Sequence, residues 1–187
     1  MRLRDFQQNL DKKFQSNINK ITNLVEEVAG HLETPTPKAA LNFALELLKP
    51  YLRSIDLRTS RLSPTHVEVI VPNKKKNLNE NEEVDEGILL SSAIYAAELL
   101  WKKKQPEGGS TLRMTSAQIE ILKPRKTHLR LRTELSLIAR EAIFAELAEK
   151  NESHQDFTVQ IYDAEDQIVG QIFLKITLHY QPVLKWK

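Results

Sequence analysis

Between Val84 and Trp101 this chain is apolar on nearly every side of a helix. Ile88, Leu89, Leu90, Ala93, Ile94, Ala96, Ala97, Leu99, Leu100 and Trp101 leave little of the circumference for water. A helix of that kind is buried, either in lipid or inside protein. The run is too short, and flanked too closely by charge, to span a bilayer. Protein must therefore surround it, and the rest of the chain has to supply the cover.

The flanking sequence shows what that cover can be. Leu3, Phe6, Leu10, Phe14, Ile18, Ile21, Val25, Val28 and Leu32 recur at steps of three and four, the pattern of one long amphipathic helix. Thr34–Pro37 ends it, and Thr36 caps a second helix with Pro37 at its first position, running to Pro50. The period then changes from helical to two. Ile55, Leu57 and Thr59 alternate with polar residues, Ser63-Pro64-Thr65 makes a turn, and Val67, Val69 and Val71 alternate again up to Pro72. After the apolar helix come strands over 112–122 and 128–135 and a helix over 138–149, with Ile138, Ala142, Ala145 and Leu147 facing inward. A hairpin of 157–162 and 168–179, turning at Ala164-Glu165-Asp166, closes the chain. The expected class is α+β: an antiparallel sheet of six strand segments wrapped around one buried helix, with additional N-terminal helices. The expected division is an N-terminal helical extension over 1–34 and one domain over 35–187.

Composition narrows function by exclusion. A length of 187 residues suits one domain with a sizeable core, and a net charge of +2 is too small to favour nucleic acid or an anionic membrane. The absence of Cys removes disulfides, thiolate metal sites and Cys nucleophiles together. His31, His66, His128, His154 and His179 are scattered without ligand spacing, so no metal site is expected. There is no Gly-rich phosphate loop. The N-terminus lacks the apolar core of a signal peptide, which points to a cytoplasmic protein.

From about Pro37 to Pro182 the chain resembles the hotdog-fold thioesterase superfamily. The resemblance rests on Val71-Pro72, Asn77-Leu78-Asn79, Gly87 opening the helix, Leu122-Lys123-Pro124 ending a strand, and Tyr162-Asp163-Ala164-Glu165-Asp166 followed by Val169-Gly170. It is similar in particular to the branch that includes the C-terminal domain of bacterial acetyltransferase–thioesterase fusions. The resemblance implies a homodimer or dimer of dimers whose sheets join edge to edge, with acyl-thioester pockets at the interface. No separate cofactor is implied, since coenzyme A arrives as part of the substrate.

Thioester hydrolysis needs donors for the developing oxyanion and a base to activate water. By resemblance the Gly87 N–H is the oxyanion donor and Asn79 helps hold the water or the carbonyl. The plainer alternatives are a tight helix start for Gly87 and a turn residue bonding its own backbone for Asn79. Many active relatives carry His-Gly-Gly where this chain has Asp85-Glu86-Gly87, and an acid where it has Ile94. A substitute base is Asp85, unless it simply favours the helix start. Glu98 is the other, provided it is buried rather than emerging beside Trp101 and Lys102–Lys104. Ser91, Tyr95 and Glu98 form one polar stripe that, with Ser92, could line the substrate pocket, although helical serines usually bond back to the preceding turn. Lys123, Arg125 and Lys126 resemble a contact for the coenzyme A phosphates. Two functions follow: an acyl-CoA thioesterase, or a silent hotdog dimer that binds acyl-CoA or a protein partner.

Overall fold

The computed structural model describes Leu52 and residues 54–102 and 109–180. The N-terminal helices expected over 1–34 and 37–50 lie outside the described residues. The described fold falls within the compact unit Ile55–Lys187.

Six strands, β1 (Arg58–Leu62), β2 (His66–Val71), β3 (Ser110–Ile121), β4 (Leu129–Glu134), β5 (Glu152–Tyr162) and β6 (Ile168–Tyr180), form one antiparallel sheet in the order β1-β2-β4-β5-β6-β3. Helix α1 (Glu86–Lys102) follows β2, and helix α2 (Leu137–Lys150) joins β4 to β5. Strand alternation sorts the side chains onto two faces. Val67, Val69 and Val71, Leu129 and Leu131, Val159 and Ile161, and Ile172, Leu174, Ile176 and Leu178 are all buried on one of them. Against these lie Leu89, Ala93, Ala96, Ala97 and Leu100 of α1, each fully buried. The apolar helix is thus cradled by the sheet, as its sequence requires.

The opposite face carries charge. Glu68 on β2 is only 4% exposed there, held by Arg132 Nη2 at 2.8 Å and by the Ser60 hydroxyl at 2.6 Å. The Arg132 guanidinium also lies 4.4 Å from the centre of the Tyr162 ring. Burial alone would raise the Glu68 carboxyl, but the bonds from Ser60 and Arg132 outweigh it and hold it below the usual carboxylate range.

Three expectations need correction. The first strand begins at Arg58, after Ile55 and Leu57. β5 begins at Glu152, five residues before the expected start at Phe157. Helix α2 faces the other way: Ile138 is 83% exposed and Ala142 and Ala145 are exposed, whereas Arg140, Ile143 and Leu147 point inward. Only Leu147 of the expected inward set is buried. The cause is Arg140, whose guanidinium donates to Leu100 O at 2.7 Å, Trp101 O at 3.2 Å and Pro64 O at 2.6 Å. A charged residue there satisfies the carbonyls left over at the C-terminus of α1, and it rotates the helix away from its most apolar stripe.

Candidate active site at the start of helix α1

The loop leading into α1 is built by three asparagine- and aspartate-centred turns. Asn77 is fully buried and donates both amide hydrogens, to Ile55 O and Pro72 O, each at 2.9 Å. Its backbone carbonyl accepts from Asp85 N at 2.9 Å, which fixes where the helix begins. Upstream, Asp56 sits in the left-handed region (φ 54°) and pairs with Lys74 at 2.8 Å and Lys76 at 2.7 Å. Those two ammonium groups, Lys74 first, lower the Asp56 carboxyl to about 2. The 74–76 lysine run is therefore partly a staple of this loop.

Asp85 is the N-cap of α1. Its Oδ1 accepts from Gly87 N at 2.8 Å and from Ile88 N at 3.3 Å, while its carbonyl accepts the first helical bond from Leu89 N. This is the N-cap geometry in which a side-chain oxygen satisfies the free N–H groups of the first turn. The expected oxyanion donor and one expected base are thus bonded to each other. A Cβ on Gly87 would come within 3.0 Å of Asp85 Oδ1, so the glycine keeps this approach open.

Asn79 does what the plainer reading expects. Its Oδ1 accepts from Asn81 N at 3.0 Å and Glu83 N at 3.2 Å, closing its own loop. Arg125 is 4% exposed, and its Nη2 lies 2.9 Å from Glu83 Oε2 and 2.5 Å from Glu86 Oε1. Its carbonyl accepts from Val84 N at 3.1 Å. This corrects the expectation of one basic group: Lys123 and Lys126 are exposed, but Arg125 is committed to two carboxylates beneath the helix start. Burial would raise the Glu86 carboxyl. Its own backbone N–H, Arg125 and the Asn79 side chain outweigh that and lower it.

Along the helix, Ser91 Oγ donates to Gly87 O at 2.8 Å and Ser92 Oγ to Ile88 O at 2.7 Å. Both hydroxyls are spent on the preceding turn, as helical serines usually are. Tyr95 is 5% exposed, and Glu98 is half-buried on the same stripe as Leu90 and Ile94. Among the described residues no group of three or more His, Asp or Glu is arranged to hold a metal ion. Likewise, none of their helices is long and apolar enough to cross a membrane.

Sequence reasoning missed the burial of Arg125. The available signal was its place two residues after Lys123 and directly after Pro124, opposite an acidic loop (Glu82, Glu83, Asp85, Glu86) needing a cation.

A six-stranded antiparallel sheet curled around a helix that starts at Glu86 is a hotdog fold, and solved structures share it. A Pseudomonas aeruginosa protein of unknown function, described as a probable thioesterase, superposes with a TM-score of 0.71 at 18% identity, covering 81% of this chain and 99% of that one. A Chlorobaculum tepidum protein of unknown function gives 0.65 at 12% identity, covering 77% and 97%. A Haemophilus influenzae thioesterase gives 0.59 at 13%, covering 78% and 94%. No functionally curated protein matches. The family model that matches, over residues 37–179, is described as a domain of unknown function, DUF4442. The chain belongs to that family, and its fold is the hotdog fold of these structures.

Proposed function

We propose that this protein hydrolyses an acyl thioester, an acyl-CoA, at the N-terminus of α1. The observation that carries the reading is the contact between Asp85 Oδ1 and the Gly87 N–H at 2.8 Å. A carboxylate oxygen there occupies the position a thioester carbonyl oxygen would take. When the substrate carbonyl replaces it, the N–H groups of Gly87 and Ile88, backed by the helix dipole, polarise the carbonyl. The displaced Asp85 carboxylate is then left beside the reacting carbon as general base. It takes a proton from water as the water oxygen bonds to the carbonyl carbon, and returns that proton to sulfur as the C–S bond breaks, releasing acid and thiol. In this scheme Glu98, Ser91, Ser92 and Tyr95 line the pocket, while exposed Lys123 and Lys126 meet the coenzyme A phosphates.

The working form in this proposal is a homodimer in the cytoplasm. Supporting it, β3 is an edge strand of 12 residues. Its Ala117 and Ile119 pair with core residues Leu174 and Ile172, so they lie on the helix side of the sheet. Yet Ala117 is exposed, Ile119 is half-exposed, and Ile121 on the same face is 37% exposed. A second copy at that edge would cover them.

A second reading is favoured by the same contact: a cap that keeps the Gly87 N–H occupied makes a silent acyl-CoA binder. Purified protein with acyl-CoA esters of short, medium and long chain, followed by free-thiol release, separates the two. The expected result is turnover that falls at least about a hundredfold in kcat in Asp85→Asn, the low end of general-base contributions. Asn caps a helix as well as Asp, so folding is expected to be unchanged. Acyl-CoA binding without turnover at any chain length would establish the silent reading instead.

A further inference from the structure

On the face of the sheet turned away from α1, β3 bulges at Thr115 between Met114 and Ser116. A cavity of about 340 Å³ opens there, lined by Arg113, Met114, Thr115, Glu152, Thr177 and His179. Register explains the lining. Arg113 pairs with Thr177, which pairs with His154; Thr111 pairs with His179, which pairs with Glu152. Three adjacent strands therefore present a guanidinium, two imidazoles and one carboxylate on two neighbouring rungs. The Glu152 carboxylate lies between the imidazoles, 2.9 Å from His154 Nε2 and 3.5 Å from His179 Nδ1. His154 Nδ1 is 3.0 Å from the hydroxyl of Thr177, itself 4% exposed.

The charge of this cluster depends on the imidazoles. The other charged groups on this face are Asp156 on β5 and Lys175 on β6. From α2, Glu146 and its partner Lys150 act on His154 by charge alone, since Glu146 bonds to Ser153 and Gln155 on the α1 side. These pair off in sign, as do Arg113 and Glu152. Neutral histidines thus leave the cavity near zero, and protonated ones leave it two charges positive. A guanidinium fork, a buried hydroxyl and two chargeable imidazoles are the donors that recognise an oxyanion.

We propose that this cavity is a second site, one that takes a small oxyanion of the sulfate or phosphate type and fills as His154 and His179 gain protons. It is independent of the thioester site. Sulfate is the probe, because it stays a dianion throughout the range. Amide and imidazole NMR spectra of the full chain are recorded during sulfate titrations at pH 5.5 and pH 8, at constant ionic strength. Shifts are expected at Arg113, Thr177 and His179, with binding about tenfold tighter at the lower pH, as two unit charges acting over a few ångström near water imply. Arg113→Gln is expected to abolish binding, and the double variant His154→Gln/His179→Gln to remove its pH dependence. All three positions are at the surface, and unchanged spectra elsewhere report an intact fold. Equal affinity at both pH values, shifts scattered over other lysines, or wild-type binding by Arg113→Gln would each overturn the proposal.

Discussion

The two ends of helix α1 solve the same problem in opposite ways. At its C-terminus, the carbonyls of Leu100 and Trp101 are buried and receive a buried arginine from another helix. Trp101 seals that end, its ring edge-on to Phe144 at 5.4 Å and its indole N–H on Ser110 Oγ at 2.7 Å. At its N-terminus, the free N–H groups are met by Asp85, one residue outside the helix, and Gly87 above them is exposed. The first arrangement closes a helix end for stability. The second satisfies it with a short side chain, the one that a substrate oxygen replaces in the proposed reaction. Helix ends are chemically alike, and burial decides which one solvent can reach.

This contrast can be broken by mutation, and the largest effect is expected at the C-terminal end. Arg140→Ala leaves three carbonyls without their donor and a void beside Trp101, and is expected to cost about 3–5 kcal/mol in urea unfolding. A loss under about 1 kcal/mol would mean the two ends do not differ as described. Arg125→Met comes next. Its carboxylate partners Glu83 and Glu86 have side chains 20% and 49% exposed, so water can take them back. The expected loss is only about 1–2 kcal/mol, below that of a fully buried pair.

Asp85→Ala is expected to cost about 1 kcal/mol, the worth of an N-cap, and Asp85→Asn close to nothing. If both variants unfolded at the wild-type denaturant midpoint, the cap would be idle. Acid gives the smallest test. Native-state carboxyls of Asp56 (about 2) and Glu86 lie below their unfolded values. Their stabilisation is therefore complete above the unfolded carboxylate range near pH 4–5 and lost as pH falls from there toward 2. Both groups are partly exposed, so the loss is expected to stay under about 1 kcal/mol. Arg140 stays charged throughout, although burial lowers it. An acid titration of Arg140→Ala parallel to that of the wild type would show that the acid sensitivity does not lie at the C-terminal end.

Much of the fold was legible because burial leaves a periodic mark. The sheet's inner residues alternate and α1 is apolar on all sides, so both elements, and their packing together, followed from spacing alone. The turn at Asn79, the back-bonded Ser91 and Ser92 and the capping alternative for Asp85 were legible too, since each is a local hydrogen bond between residues close in sequence. Helix α2 misled. Ile138, Ala142 and Ala145 make the more apolar stripe, but they face outward because Arg140 has three distant carbonyls to reach.

By itself, then, the sequence determined which helix lies at the centre, where it starts, and that an antiparallel sheet must cover it. Only the tertiary structure decided that Arg125 and Arg140 go inside, that Glu152 lies between two histidines, and that the Gly87 N–H is already occupied. The reason is physical. Apolar burial and helix caps are local and recur at fixed spacing, whereas a buried charge is tolerated only where a partner far along the chain arrives to meet it.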